Sequence, residues 1–179
     1  QNPVAALIPP RGLHFARQSV GPVCGSCMVS DSSSSRASVI TVSVVSHGHD
    51  AWLRPLISDL AQGAGGLLRR VVVTHNLPAA APLRLDDLPF ELLEIHNPQP
   101  LGFGANHNQA FAHADTPYFC VLNPDMRLRD PGLWAQMLAA VQQPGVGAVT
   151  ATLLNPDGSV QDNQRALVTP WSLVRRRLL

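Results

Sequence analysis

From residue 38 onward, short β-branched runs alternate with segments of helical period, and this alternation constrains the fold more than any other feature of the chain. SVITVSVVS at 38–46 has the length and composition of a buried strand, and it stops at the polar HGHD. Asp50 stands where a helix cap would. Leu53, Leu56, Ile57 and Leu60 then share one helical face, and Gly63 marks the end. RRVVVT (69–74) and FELLEIH (90–96) read as second and third strands. A Gly/Pro loop, NPQPLGFG, leads into a helical stretch at 105–114, and YFCVL (118–122) reads as a fourth strand. Asp130 and Pro131 suit the cap and first positions of a helix whose stripe is Leu133, Trp134, Met137, Leu138 and Val141. VGAVTATLL (146–154) completes the series as a fifth strand. The order β-α-β-β-α-β-α-β predicts an α/β fold with a mostly parallel sheet and helices on both faces.

The first 36 residues differ in character. They scatter Pro, Gly and Ser without a period of 2 or 3.6 and end in SDSSSSRA, which predicts a disordered tail or non-native leader before a domain at 37–179. Met28, just ahead of the Ser tract, is the expected native start, with 1–27 as tag or upstream translation. With 45% hydrophobic and 14% charged residues in 179, the chain can bury one ordinary core. All thirteen cations are Arg, and a net charge of +1 gives no reason to expect a nucleic-acid partner. The apolar runs are too short and broken for a bilayer crossing, and VAALI followed by Pro9-Pro10 is too short for a signal-peptide core. A cytoplasmic location, extending to the inner face of the membrane, is the expectation. Three cysteines fit a reducing compartment, and Cys24 and Cys27 lack the second pair or strand-to-helix setting that a zinc or redox motif needs.

Leu-Asn-Pro-Asp occurs twice, at 122–125 and at 154–157. The first copy lies directly after the strand YFCVL, where loops of an open α/β sheet collect ligands. Spacing alone leaves Asp125 open between a ligand for a hard cation and a solvated loop acid. The second copy runs into Gly158, and NPDG suits a β-turn with Pro second and Gly fourth, so Asp157 is read as turn-making.

The segments ITVSVVSHGHDAWLRPLISDL, VVVTHNLP, NPQPLGFGANHNQAFAHADTPYFCVLNPDMRL and LLNPDGSVQDNQR, taken in this order over about residues 38–170, resemble the nucleotide-sugar-binding half of a family 2 glycosyltransferase with the Rossmann-like GT-A fold. The likeness is to the bacterial rhamnosyltransferase-like branch, in which Asn-Pro-Asp replaces Asp-x-Asp. The resemblance implies an inverting, metal-assisted transfer of a sugar from a nucleoside diphosphate, dTDP- or UDP-linked, to a cell-envelope polysaccharide or lipid-linked glycan acceptor. By the same resemblance Asp125 holds Mg²⁺ or Mn²⁺, and Asn123 orients the sugar or a metal-bound water. Gly102 and Gly104 let the backbone pass close to the donor, Asn108 hydrogen-bonds it, and the loop from Ser46 through His47 to His49 lines the base and ribose pocket. Arg165 matches a family Arg that contacts diphosphate, or is a solvated turn residue.

Two departures accompany the resemblance. Thr74-His75-Asn76 stands where many relatives place a base-reading Asp, and Asn76 is expected to offer a donor and an acceptor in its place. His47, His49, His75 and His107 fall near the site, but no pair at helical spacing supports a zinc centre over scattered pocket histidines. No acidic pair of the kind that supplies a general base follows residue 162, so the expectation is a fold truncated before its acceptor-binding half, with the base beyond Leu179. The alternative is a catalytically inactive nucleotide-sugar-binding module. The segment WSLVRRRLL at 171–179 suits either an anionic membrane surface or an ordinary amphipathic helix.

Overall fold

The computed structural model describes residues 5–8, 38–64, 66–77 and 82–161. In chain order the elements are β1 (Ala5–Ile8), β2 (Ile40–Ser46), α1 (Asp50–Gly63), β3 (Leu68–His75), β4 (Glu91–His96), α2 (Phe103–Phe111), β5 (Tyr118–Leu122), α3 (Leu133–Val141) and β6 (Val149–Thr150). They build one six-stranded sheet in the order β4-β3-β2-β5-β1-β6. β4, β3, β2 and β5 run parallel, and this mostly parallel α/β sheet is consistent with the expected GT-A domain.

Period-2 alternation assigns the helices to opposite faces. Val42 and Val44 of β2, Val71 and Val73 of β3, and Cys120 and Leu122 of β5 point to one face, where Leu53, Leu56, Ile57 and Leu60 of α1 and Trp134, Met137 and Val141 of α3 cover them. Val72 and Phe119 point the other way onto Ala110 of α2. β2 and β3 are buried on both faces and read in the sequence as β-branched runs, with Thr41 and Ser43 of β2 turned to the α2 side. Leu53, Leu56 and Leu60 are fully buried, and truncating any one to Ala should cost about 2–5 kcal/mol.

The far side of β5 departs from expectation. Ala5–Ile8, inside the stretch read as a disordered tail, forms a strand antiparallel to β5, with Ala5 opposite Leu122 and Ile8 opposite Phe119. A short apolar segment there supplies main-chain partners to an edge that would otherwise be open. The rest of 1–36, with Met28, Cys24 and Cys27, lies outside the described residues. The expected long fifth strand at 146–154 contracts to Val149–Thr150, which pairs antiparallel with β1 and does not extend the parallel set. Gly145, at φ +82°, lies just ahead of the expected run.

Helix starts shift by one or two residues. α2 begins at Phe103 instead of 105, with Gly102 as its N-cap and Gly104 in its first turn. α3 begins at Leu133, and Asp130 acts just ahead of it, its Oδ1 accepting the Gly132 N–H at 2.7 Å. Asp50 is the first residue of α1 and makes no capping bond, since His49 holds the cap position.

Candidate functional site

The carboxyl ends of four parallel strands bring Ser46, Asn76, Asn97 and Asn123 to one rim of the sheet. Each expected site residue can be followed from the strand or helix that carries it.

At the end of β2, Ser46 is buried and organises its own turn. Its Oγ donates to Asp50 Oδ1 at 3.0 Å and accepts the His49 N–H at 3.1 Å. Gly48 takes φ +78°, a conformation that favours glycine, and so lets the loop reverse into α1. His47 is exposed on this turn, and its Nδ1 lies 3.1 Å from Asn76 Nδ2.

Asn76, after β3, is 5% exposed and fully engaged. Its Oδ1 accepts from Leu101 N–H at 2.7 Å and from Asn97 Nδ2 at 3.1 Å, while its Nδ2 reaches Leu101 O at 2.9 Å as well as His47. An amide has two donors and two acceptor lone pairs, and all four are spent inside the protein. In this structure the side chain holds a loop.

That loop is held at a second point. Asn97 Nδ2 donates to Asn106 Oδ1 at 2.6 Å, and Asn106 Nδ2 donates to the carbonyls of Leu101 and Gly102 at 3.1 and 3.2 Å. Asn76, Asn97 and Asn106 are all buried, and together they fix residues 97–102 against the ends of β3 and β4. Asn97 and Asn106 were absent from the sequence expectations. The available signal was polar: Asn106 and His107 stand beside Ala110 on the face of α2 that is buried, where a helix would ordinarily show apolar residues. Asn108, the residue expected to contact donor, is exposed on the outer side of the helix.

Gly102 and Gly104 are both exposed, and a Cβ on either would meet no atom within 4 Å. Neither glycine is demanded by the packing of this chain. Gly102 makes no side-chain cap, so the first N–H groups of α2 face outward from a bare backbone.

His107, one turn further on, is buried behind this rim. Its Nδ1 lies 2.8 Å from Ser43 Oγ, its ring meets Phe103 edge-on at 4.4 Å between centroids, and its Nε2 has no hydrogen-bond partner among the described residues. Burial pushes its pKa down to about 4, so the imidazole is neutral. It is a packing histidine of the α2 face.

After β5, Pro124 is buried while Asn123 is half-buried and Asp125 exposed. The Asp125 carboxylate makes no hydrogen bond or ion pair among the described residues. The loop beyond it is pinned to α1, where Arg127 Nε and Nη2 donate to Asp59 at 2.7 and 3.0 Å and the Leu128 N–H adds a third bond at 3.1 Å. A free carboxylate on an anchored loop at a strand's carboxyl end suits a hard divalent cation, which takes one or two carboxylates and keeps several waters.

The second copy is built differently. Gly158 N–H donates to Asn155 O at 2.9 Å, Gly158 has φ +85°, and Leu154 bridges Val160 antiparallel, which is a closed β-turn. Asp157 Oδ1 accepts from the Ser159 hydroxyl at 2.7 Å and its N–H at 2.9 Å, and these bonds hold its carboxyl below the usual range. A cleft of about 820 Å³ brings the two copies together, with Asp125, Leu133 and Met137 on one side and Leu153, Asn155 and Gln161 on the other. Arg165 lies outside the described residues.

With this geometry in view, comparison with known proteins is decisive for the family. The model of glycosyl transferase family 2 matches residues 42–178. The chain belongs to glycosyl transferase family 2. The match begins inside β2 and includes every expected site residue of this family 2 chain, from Ser46 to Arg165. The chain is also 33% identical over 67 residues to "Uncharacterized protein y4gI" of Sinorhizobium fredii (strain NBRC 101917 / NGR234). That similarity covers 37% of the chain and 7% of its relative. No solved structure matches. No helix among the described residues is long and apolar enough to cross a membrane.

Proposed function

We propose that this chain binds the nucleoside-diphosphate-sugar donor of a glycosyl transfer at the rim formed by the carboxyl ends of β2, β3, β4 and β5. The observation that carries this reading is the Asp125 carboxylate, without a hydrogen-bond or ion-pair partner among the described residues and held beyond a buried Pro at the end of β5. Mg²⁺ or Mn²⁺ held by Asp125 would neutralise the charge that develops on a departing diphosphate.

The protein's own groups supply position. Asn123 orients the donor sugar or a water on the cation. Gly102 and Gly104 leave the start of α2 bare, so outward N–H groups can receive negative charge without a side chain in the way. Asn108 faces the same solvent, and the turn carrying His47 forms the adjoining wall. Asn76 acts through Leu101, which places Gly102. Arg165 is assigned to the diphosphate. The acceptor is a cell-envelope polysaccharide or lipid-linked glycan, the donor is dTDP- or UDP-linked, and transfer inverts the anomeric centre. The chain works in the cytoplasm, at the inner face of the membrane where such an acceptor is lipid-linked.

Backbone amide NMR tests this assignment. Mn²⁺ added with UDP or dTDP should broaden the resonances of Asn123–Met126 and Gly102–Gly104 first. Broadening that spares both segments would refute the site.

A further inference from the structure

We propose that His75, Glu94 and His96 form a zinc-type metal site at the carboxyl ends of β3 and β4, independent of the Asp125 site and of the reading given to it. Strand register makes the cluster. His75 and His96 are direct partners across the parallel pair, and Glu94, two residues before His96, shares their face. Each residue offers one ligand atom, and the three atoms lie within 4.8 Å of one another.

The spacing suits one small ion. Zinc bonds of about 2.1 Å in a tetrahedron put ligand atoms roughly 3.4 Å apart. His75 Nε2 and Glu94 Oε2 are already 2.8 Å apart, so the third ligand has to close by only about an ångström or so. His96 is the residue free to do this. It is exposed, and it stacks on the His75 ring at 4.6 Å and 7°, an arrangement that leaves the two rings' lone pairs in parallel planes. Rotation of the exposed ring about its side-chain torsions brings its nitrogen round to the pair.

The surroundings supply orientation. Glu94 is fixed by the Leu83 N–H, 3.2 Å from each carboxylate oxygen. His75 is 2% exposed, and its Nδ1 is buried without a hydrogen-bond partner among the described residues, 3.8 Å from Asp50 Oδ1. When an ion takes the Nε2 lone pair, the ring proton resides on Nδ1 and faces the Asp50 carboxylate, the outer arrangement that orients histidine ligands. Two imidazoles and one carboxylate suit zinc, whereas magnesium prefers an all-oxygen shell, and a three-residue set leaves a position open for water. An ion here would tie the edge strand β4 to β3 and to the start of α1, immediately before Asn76 and Asn97 leave their strands.

Calorimetric titration of the chelator-treated chain with Zn²⁺, alongside Co²⁺ absorption spectroscopy, tests the site. The expected result is one ion per chain with tetrahedral Co²⁺ bands. Affinity should fall at least about tenfold in His96→Ala and in Glu94→Gln, and stay unchanged in Asp125→Ala. His96 is exposed, so its variant should keep the wild-type circular dichroism. Absence of Zn²⁺ binding by folded chain, unchanged affinity in His96→Ala, or loss of affinity in Asp125→Ala would each overturn the proposal.

Discussion

Asn76 grips Leu101 by both of its backbone groups: Oδ1 accepts the Leu101 N–H at 2.7 Å, and Nδ2 donates to the Leu101 carbonyl at 2.9 Å. One buried amide thereby sets the height at which Gly102 and the first turn of α2 stand above the sheet. Asn76→Ala leaves Asn97 Nδ2 short of one partner and the loop unclamped, at a cost of about 1–3 kcal/mol in urea unfolding. Because the loop is part of the proposed donor site, nucleotide affinity should fall in the same variant.

The His107 and Ser43 pair gives a pH signature. The folded-state pKa of His107 is about 4, below the ordinary value of 6.5, so the unfolded chain takes up a proton that the folded chain refuses. This contribution is fully present above pH 6.5 and is lost as pH falls toward 4, with a slope of at most about 1.4 kcal/mol per pH unit. Denaturant unfolding from pH 7 to pH 4 should show that slope in the wild type and a flatter profile in His107→Gln.

Asp59 titrates in the usual carboxylate direction. The hydrogen bond from Arg127 holds its carboxyl below the ordinary range, so the stability it gives is present above the unfolded pKa and is lost as pH falls through the lower folded value. Asp59→Asn should remove this acid-limb dependence. It should also loosen the loop behind Asp125, seen as faster amide exchange at Arg127 and Leu128.

The two Leu-Asn-Pro-Asp copies should separate cleanly. Asp157→Ala removes only bonds within its own turn, to Ser159, and should leave metal-dependent nucleotide affinity unchanged. Gly158→Ala forces an Ala into φ +85° and should destabilise that turn by about 1 kcal/mol, as read by thermal unfolding.

Much of this was legible from residue types alone. The β2 and β3 runs announced buried parallel strands because both of their faces are covered, and NPDG announced its turn because Pro and Gly restrict the backbone in known ways. What escaped depends on tertiary pairing. Ala5–Ile8 carries no period of its own, and only the open edge of β5 makes it a strand. Gly102 and Gly104 read as loop, yet α2 starts at Phe103, since burial of Asn106, His107 and Ala110 outweighs the poor propensity of one glycine in the first turn. The Asn76–Asn97–Asn106 network joins three segments far apart in the chain, and the His75–His96 pairing is set by register between β3 and β4.

The most direct measurement is titration calorimetry of the chain with UDP, dTDP and GDP, each with and without Mn²⁺, beside Asp125→Ala. The account predicts that at least one nucleotide binds only with Mn²⁺ and that this binding disappears in Asp125→Ala while the variant stays folded. Nucleotide binding that persists undiminished in Asp125→Ala, or no binding of any of the three by folded wild-type chain, would contradict it.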